Sequence, residues 1–271
     1  MDKANVIMSV YKGDSPISLK QALESMVNQT YGNLGIYICQ DGFVSNDLKN
    51  VINNYLEKYS NIHLIENSTN RGLAKSINRL IDLLLKDDNN KYFVRMDADD
   101  ISLKERVSIQ INYMKENQIN VCGSYCKEFG ASYALSEKKV PITHQEILLK
   151  SVTNCPFIHP TVVFDRTVFE SGIRYPEDTV FTEDMALWFI LIEARYKLGN
   201  IPEVLLEYRL TEDTVERRLG WHKGYNEFQL RMRYMISNRT FSLINFIKIF
   251  ARLPFHILPI SLAKLLYRYA R

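Results

Sequence analysis

Over its first hundred residues the chain switches regularly between two hydrophobic periods, and this alternation limits the possible folds more than any other feature. Apolar runs at residues 5–10, 35–40, 62–66 and 92–96 read as buried strands. Between them, apolar residues recur at helical spacing. The sets are Leu19, Ala22, Leu23, Met26 and Val27; Leu48, Val51, Ile52, Tyr55, Leu56 and Tyr59; and Leu73, Ile77, Leu80, Ile81 and Leu84. A βαβαβαβ order predicts an α/β fold with a mostly parallel sheet covered on both faces by helices. With 46% hydrophobic and 24% charged residues, the 271-residue chain can bury a substantial core and is not disordered. After residue 117 the pattern loosens. Strand-like pieces at 121–126, 161–164 and 204–208, and a helix signal from Thr182, predict an extension of the sheet that builds the far wall of a cleft.

Ligands of such sheets bind beyond the carboxyl ends of the strands. Residues at those ends are Tyr11 to Asp14, Asp41-Gly42 and Arg95-Met96-Asp97-Ala98-Asp99-Asp100. The last places three carboxylates in four positions, and like charges that close need a reason. One reason is Mg2+ or Mn2+, whose hard oxygen ligands include the phosphates of a substrate. Another is a turn leading into a helix, with Ser102 and Glu105 as a capping box and Asp100 serving the turn. The two are compatible.

Other motifs also have two readings. Asp41-Gly42 is either a carboxylate for a base or ribose, or an ordinary Asp-Gly turn. Asn70-Arg71-Gly72 offers a close approach and a guanidinium fork for phosphate or uracil oxygens, or is a polar loop. Glu183 and Asp184 begin a helix signal, where acids complement the helix dipole. As chemistry, Asp184 is placed to take a proton from an attacking hydroxyl. Arg209, Arg217 and Arg218 follow the last strand signal and either neutralise a leaving diphosphate or belong to a basic tail.

From Arg217 to Arg271 there are 11 Lys and Arg against one acid, Glu227, whereas the remainder carries 23 bases and 30 acids. A basic segment on an acidic body suggests an anionic partner surface. Lys248, Arg252, Lys264 and Arg268 interrupt the apolar stretch 241–269, so no run approaches the ~20 residues that span a bilayer. Bases interleaved with Phe, Ile and Leu predict segments lying in a membrane interface, or helices packed on the acidic body. They do not suggest a nucleic-acid groove. The expected division is a catalytic domain at 1–216 and an amphipathic helical tail at 217–271. Cys39, Cys122, Cys126 and Cys155 form no CxxC pair and are expected to be reduced. The start of the chain lacks the pattern of a secretory leader, so secretion is not expected.

Taken in order, the motifs resemble those of a family-2 glycosyltransferase with the GT-A fold. They are the strand at 6–11, the segment Ser25 to Tyr31, Asp41-Gly42, Asn70-Arg71-Gly72-Leu73-Ala74, the Arg95 to Asp100 cluster, His159-Pro160-Thr161 and Thr182 to Trp188. The match runs over roughly residues 5–218 and is nearest the subgroup that builds O-antigens, capsules and exopolysaccharides of the amylovoran type. The resemblance implies that Asp41 binds uracil or ribose, with Tyr11 and Arg71 near the nucleotide and Arg217 and Arg218 on its diphosphate. It implies that Asp97 contacts the nucleotide sugar and that Asp99 holds Mn2+ or Mg2+. His159, Glu183 and Trp188 would line the acceptor or sugar pocket, and Asp184 would be the base of an inverting displacement. Many relatives have a histidine after the last core strand, where a further metal ligand can lie. Here the stretch is Tyr208 to Thr214, in which Glu212 or Asp213 is the available substitute.

The implied reaction moves glucose or galactose from a UDP-sugar to an N-acetylhexosamine on polyprenyl diphosphate, through a β1,3 bond. The implied location is the cytoplasmic face of the bacterial inner membrane, on anionic lipid. Two rival readings are a sugar-phosphate nucleotidyltransferase and a non-catalytic membrane-bound scaffold of the same fold. A nucleotidyltransferase is expected to carry a glycine-rich loop after the first strand, and Tyr11-Lys12-Gly13-Asp14 is a poor version of one.

Overall fold

The computed structural model describes residues 1–179, 182–238 and 241–269. The predicted alternation forms as β1 (Lys3–Tyr11), α1 (Pro16–Val27), β2 (Leu34–Asp41), α2 (Asn46–Lys58), β3 (Ile62–Asn67), α3 (Leu73–Leu84) and β4 (Asn90–Arg95). There follow β5 (Ile101–Ser102), α4 (Arg106–Asn117), β6 (Val121–Phe129), α5 (His144–Lys150), β7 (Val163–Asp165), α6 (Arg166–Glu170), α7 (Glu183–Glu193) and β8 (Leu198–Arg209). The C-terminal helices are α8 (Thr214–Arg218), α9 (Trp221–Ser237), α10 (Leu243–Phe250) and α11 (Ile260–Tyr269). The side chains of Arg218 and Arg268 lie outside the described residues.

One eight-stranded sheet runs in the order β3-β2-β1-β4-β7-β6-β8-β5. Strands β3, β2, β1 and β4 are mutually parallel, as are β6 and β8, whereas β7 and β5 run antiparallel to their neighbours. The central strand β1 is buried on both sides because successive side chains point to opposite faces. Ala4, Val6, Met8 and Val10 meet Leu19 and Leu23 of α1, Leu48 and Ile52 of α2 and Ile111 of α4 in one core. Ile7 joins Cys39, Ile77 and Leu80 of α3, Phe164 and Trp188 in the other.

Helix starts follow local chemistry at Ser15 and Ser45, whose hydroxyls accept from Ser18 N–H and Leu48 N–H. The expected box at Ser102 and Glu105 does not form, and α4 begins at Arg106 without a side-chain cap. Ser102 instead pairs with Leu206 in the sheet, and its N–H donates to Ser25 Oγ at 3.1 Å. Glu105 accepts from Thr30 Oγ1 at 2.6 Å. A capping box does form at Thr143 and Glu146, at the head of α5. The strand expected at 161–164 starts two residues later, because His159–Thr161 make a 3-10 turn.

The boundary expected at 216/217 falls inside α8, and the helix that follows packs on the body. In α9, Tyr234 stacks on Phe189 with ring centroids 3.9 Å apart. Arg231 is buried, with Nε donating to Glu227 at 2.8 Å and Nη1 donating to the Ser151 and Val152 carbonyls at 3.2 and 2.7 Å. Among the described residues, no helix is long and apolar enough to cross a membrane.

Candidate active site

The carboxyl ends of the first four strands assemble the site. Tyr11, Asp41 and Asn67 stand in register across β1, β2 and β3. Asp41 is buried and accepts from Asn67 Nδ2 at 2.9 Å, Arg71 N–H at 2.7 Å and Gly72 N–H at 2.8 Å. Those bonds use most of its acceptor capacity and fix the Asn70–Gly72 loop, which leaves Arg71 exposed. Gly42 has φ +80, and a Cβ there would lie 2.5 Å from Asn70 N, so the turn and the loop can meet only through glycine. Tyr11 is 40% exposed and its ring covers Gly13.

Beyond β4 the chain turns sharply, and Asp97, Asp99 and Asp100 bring carboxylate oxygens within 4.8 Å of one another. Their repulsion is offset by buried arginines. Arg95 pairs with Asp97, and Arg106 donates from Nη2 to the Arg95 carbonyl at 2.8 Å. Burial lowers the Arg106 guanidinium to about 9. Arg209, from the end of β8, ties down the same turn. Its N–H donates to Asp100 Oδ1 at 2.8 Å, its Nε donates to the Asp99 carbonyl at 2.7 Å, and its guanidinium lies 4.5 Å over the Phe129 ring.

The offset is incomplete. Burial, then repulsion from Asp97, raises the Asp99 carboxyl to about 6. Burial with repulsion from Asp97 and Asp99 pushes Asp100 well above its usual value, and Asp100 Oδ2 is buried with no hydrogen-bond partner among the described residues. Asp14, whose Oδ2 accepts from Tyr11 N–H at 2.8 Å, is raised to about 7 by burial and by Asp99 and Asp97. This oxygen-rich set with surplus negative charge fits a hard divalent cation.

A second group comes from the 3-10 turn before β7, the segment after α6 and the head of α7. Asp184 and Glu183 lie in the first turn of α7, and Asp184 Oδ1 accepts from Met185 N–H at 2.7 Å. His159 Nε2 and the buried Tyr175 hydroxyl are 3.0 Å apart. Burial, then the charge of Arg95, pushes the His159 imidazole well below its ordinary value, so it is neutral. Burial raises the Tyr175 phenol, which also feels Arg95, Asp184, Asp97 and Glu183. One hydroxyl thus lies within electrostatic reach of both groups of acids.

Trp188 is 0% exposed and packs on Phe157 and Phe164 in the core, with its ring edge-on to His159 at 6.0 Å between centroids. Asp213 is exposed at the head of α8, outside the carboxylate cluster. Arg217 is exposed, and its charge favours ionised Asp99. Sequence reasoning gave no role to Asp14, Arg106, Tyr175 or Asn67. Only Asp14 had a local signal, its position just past the end of β1.

Residues 5–172 match the family model described as Glycosyl transferase family 2. The amylovoran biosynthesis glycosyltransferase AmsE of Erwinia amylovora is 28% identical over 264 residues, covering 97% of each chain. The UDP-Gal:alpha-D-GlcNAc-diphosphoundecaprenol beta-1,3-galactosyltransferase of Escherichia coli is 28% identical over 269 residues, covering 98% of this chain and 95% of that protein. The mannosyltransferase PcManGT from Pyrobaculum calidifontis, solved with GDP-Man and Mn2+, superposes with TM-score 0.61 at 13% identity. That superposition covers 99% of this chain and 74% of the mannosyltransferase, and is a likeness of fold.

Proposed function

Because the chain belongs to glycosyl transferase family 2, we propose that it transfers glucose or galactose from a UDP-sugar to an N-acetylhexosamine carried on polyprenyl diphosphate. The linkage proposed is β1,3, in the synthesis of O-antigen or another surface polysaccharide. The observation that carries this reading is the carboxylate cluster at the end of β4, set beside the Asp41–Arg71 loop in a GT-A-type sheet. The full-length similarity to the E. coli galactosyltransferase supports the donor and acceptor classes.

In this reading Asp41 shapes the nucleotide end through the Arg71 loop, with Tyr11 beside it, and Arg217 and Arg218 attend the diphosphate. Asp99, with Asp97, would hold Mn2+ or Mg2+, which when bound offsets charge on the departing diphosphate. Asp97 also contacts the nucleotide sugar, kept in place by Arg95. Asp184 takes the proton of the acceptor hydroxyl as its oxygen attacks the anomeric carbon, with His159 and Glu183 beside the sugar. The bond from that carbon to the diphosphate oxygen breaks, its electron pair leaves with UDP, and the configuration inverts. Alignment of the two substrates supplies much of the rate.

In this reading the reaction takes place at the cytoplasmic face of the inner membrane, where a UDP-sugar and a lipid-borne acceptor meet. The test is a screen of UDP-sugars on a synthetic N-acetylhexosamine diphosphate-lipid, with and without Mn2+, followed by NMR of the product. Release of UDP with a new β1,3 bond is expected. Release of inorganic diphosphate from a nucleoside triphosphate would instead identify a nucleotidyltransferase.

A further inference from the structure

Helix α10 is turned the wrong way round for a helix in water. Leu243, Ile244, Ile247 and Phe250 are 67%, 65%, 56% and 54% exposed, and Phe241 before the helix and Ile257 after it are exposed as well. Arg252 and His256, which follow α10, turn toward α9. Arg252 Nε lies 3.2 Å and His256 Nε2 3.6 Å from the carboxylate of Glu227 on α9. Arg252 Nη1 also donates to the Thr153 carbonyl at 3.0 Å. Gly224 makes room for this arrangement, since a Cβ there would lie 2.6 Å from the His256 ring. An ionic clasp on α9 thus fixes the segment with its apolar side out, while Ile249 alone of α10 is fully buried.

We infer that this face is the surface on which the protein rests against an anionic bilayer, an assignment that deepens the membrane-borne acceptor proposed above and rests on it. A contiguous exposed apolar face of this kind marks an interaction site. Its charge setting selects the partner. Exposed Lys248 lies on α10 itself and exposed Arg233 on the neighbouring α9, and the segment from Arg217 onward has 11 bases against one acid. A two-fold contact between copies would set these basic segments against each other, whereas anionic headgroups attract them. The segment also reaches the active site. Ala263 of α11 is buried against Leu210 and Val215, and α8 carries Arg217 toward Asp99.

The test is cosedimentation of the full chain with vesicles of phosphatidylethanolamine, with and without phosphatidylglycerol. The triple variant Leu243→Glu, Ile244→Glu, Ile247→Glu is compared with wild type, and each protein is assayed on a short-chain, water-soluble acceptor. Wild type should bind the anionic vesicles. The triple variant should lose roughly a hundredfold in partition while transferring sugar to the soluble acceptor unchanged. Lys248→Glu with Arg233→Glu should remove the preference for phosphatidylglycerol. Equal binding by the triple variant overturns the assignment, as does a dimer dissolved by the same substitutions without vesicle binding. Wild type that ignores vesicles but transfers to the soluble acceptor also overturns it and leaves the glycosyl-transfer reading standing. Vesicle binding without transfer keeps the surface and removes that reading.

Discussion

Mn2+ should stabilise this protein much more at about pH 8 than at about pH 5, and the raised carboxyls set the size and sign of the difference. Asp99 is moved from 3.8 to about 6 and Asp14 from 3.8 to about 7. Below about pH 3 these groups are protonated in both folded and unfolded chains and cost nothing. As the pH rises toward 7, the unfolded carboxyls ionise freely while the folded ones resist, so metal-free stability falls and the loss is complete above about 7. For Asp99 the penalty is roughly 3 kcal/mol. Asp14 and Asp99 repel each other, so their penalties do not add.

A cation on the ionised cluster relieves this repulsion. At a hundredfold excess over its dissociation constant it adds about 2.7 kcal/mol, or about 5–10 °C in melting temperature for a domain of this size. At about pH 5 the same cation competes with protons, and the gain should shrink to a degree or two. Differential scanning fluorimetry with Mn2+ or EDTA across this pH range reads the effect. Asp99→Asn, which leaves the Arg95–Asp97 pair intact, should raise the metal-free melting temperature at pH 8 and erase the Mn2+ response. An equal Mn2+ shift at both pH values, or one that survives in Asp99→Asn, would refute the reasoning.

Asp184→Asn should lower kcat by about 10^2 to 10^4 with donor binding unchanged by calorimetry, and full activity would strip Asp184 of its role as proton acceptor. Asp41→Ala leaves the Arg71 and Gly72 N–H groups without their acceptor. It should cost about 1–3 kcal/mol of stability and weaken UDP binding roughly tenfold; unaltered UDP affinity would show that the loop is irrelevant to the nucleotide. Although burial opposes it, His256, Arg231 and Arg252 hold Glu227 well below the usual carboxylate range. Arg231→Ala should therefore cost about 3–5 kcal/mol in urea denaturation, and a loss under 1 kcal/mol would mean that the clasp does not hold α9.

What could be read from the chain, and what could not, divides along a physical line. Strands β1 to β4 and helices α1 to α3 were legible because each announces its own period and its burial needs no distant partner to be inferred. The acids at the strand ends were legible for the same reason. The depth of Trp188 was not legible because α7 is apolar almost all round, so its spacing gives no inward face, and the aromatic rings of Phe157 and Phe164 set it. Ser102 looked like a cap until Leu206, a hundred residues on, claimed it for the sheet. The tail had the right composition but an unreadable orientation, since Glu227 decides which side of the segment faces in.

The acidic turn combines both cases. Its crowding was visible, and so was Arg95 within the motif. The tether from Arg209 joins residues 109 and 110 positions apart, which no local pattern encodes. Even with Arg95, Arg106 and Arg209 in place, Asp14, Asp99 and Asp100 remain raised. The chain's own cations therefore hold the turn in shape without neutralising it. A site built this way keeps its geometry before ligand arrives and retains negative charge for a cation to offset, which is the preorganisation that charge stabilisation at a leaving diphosphate requires.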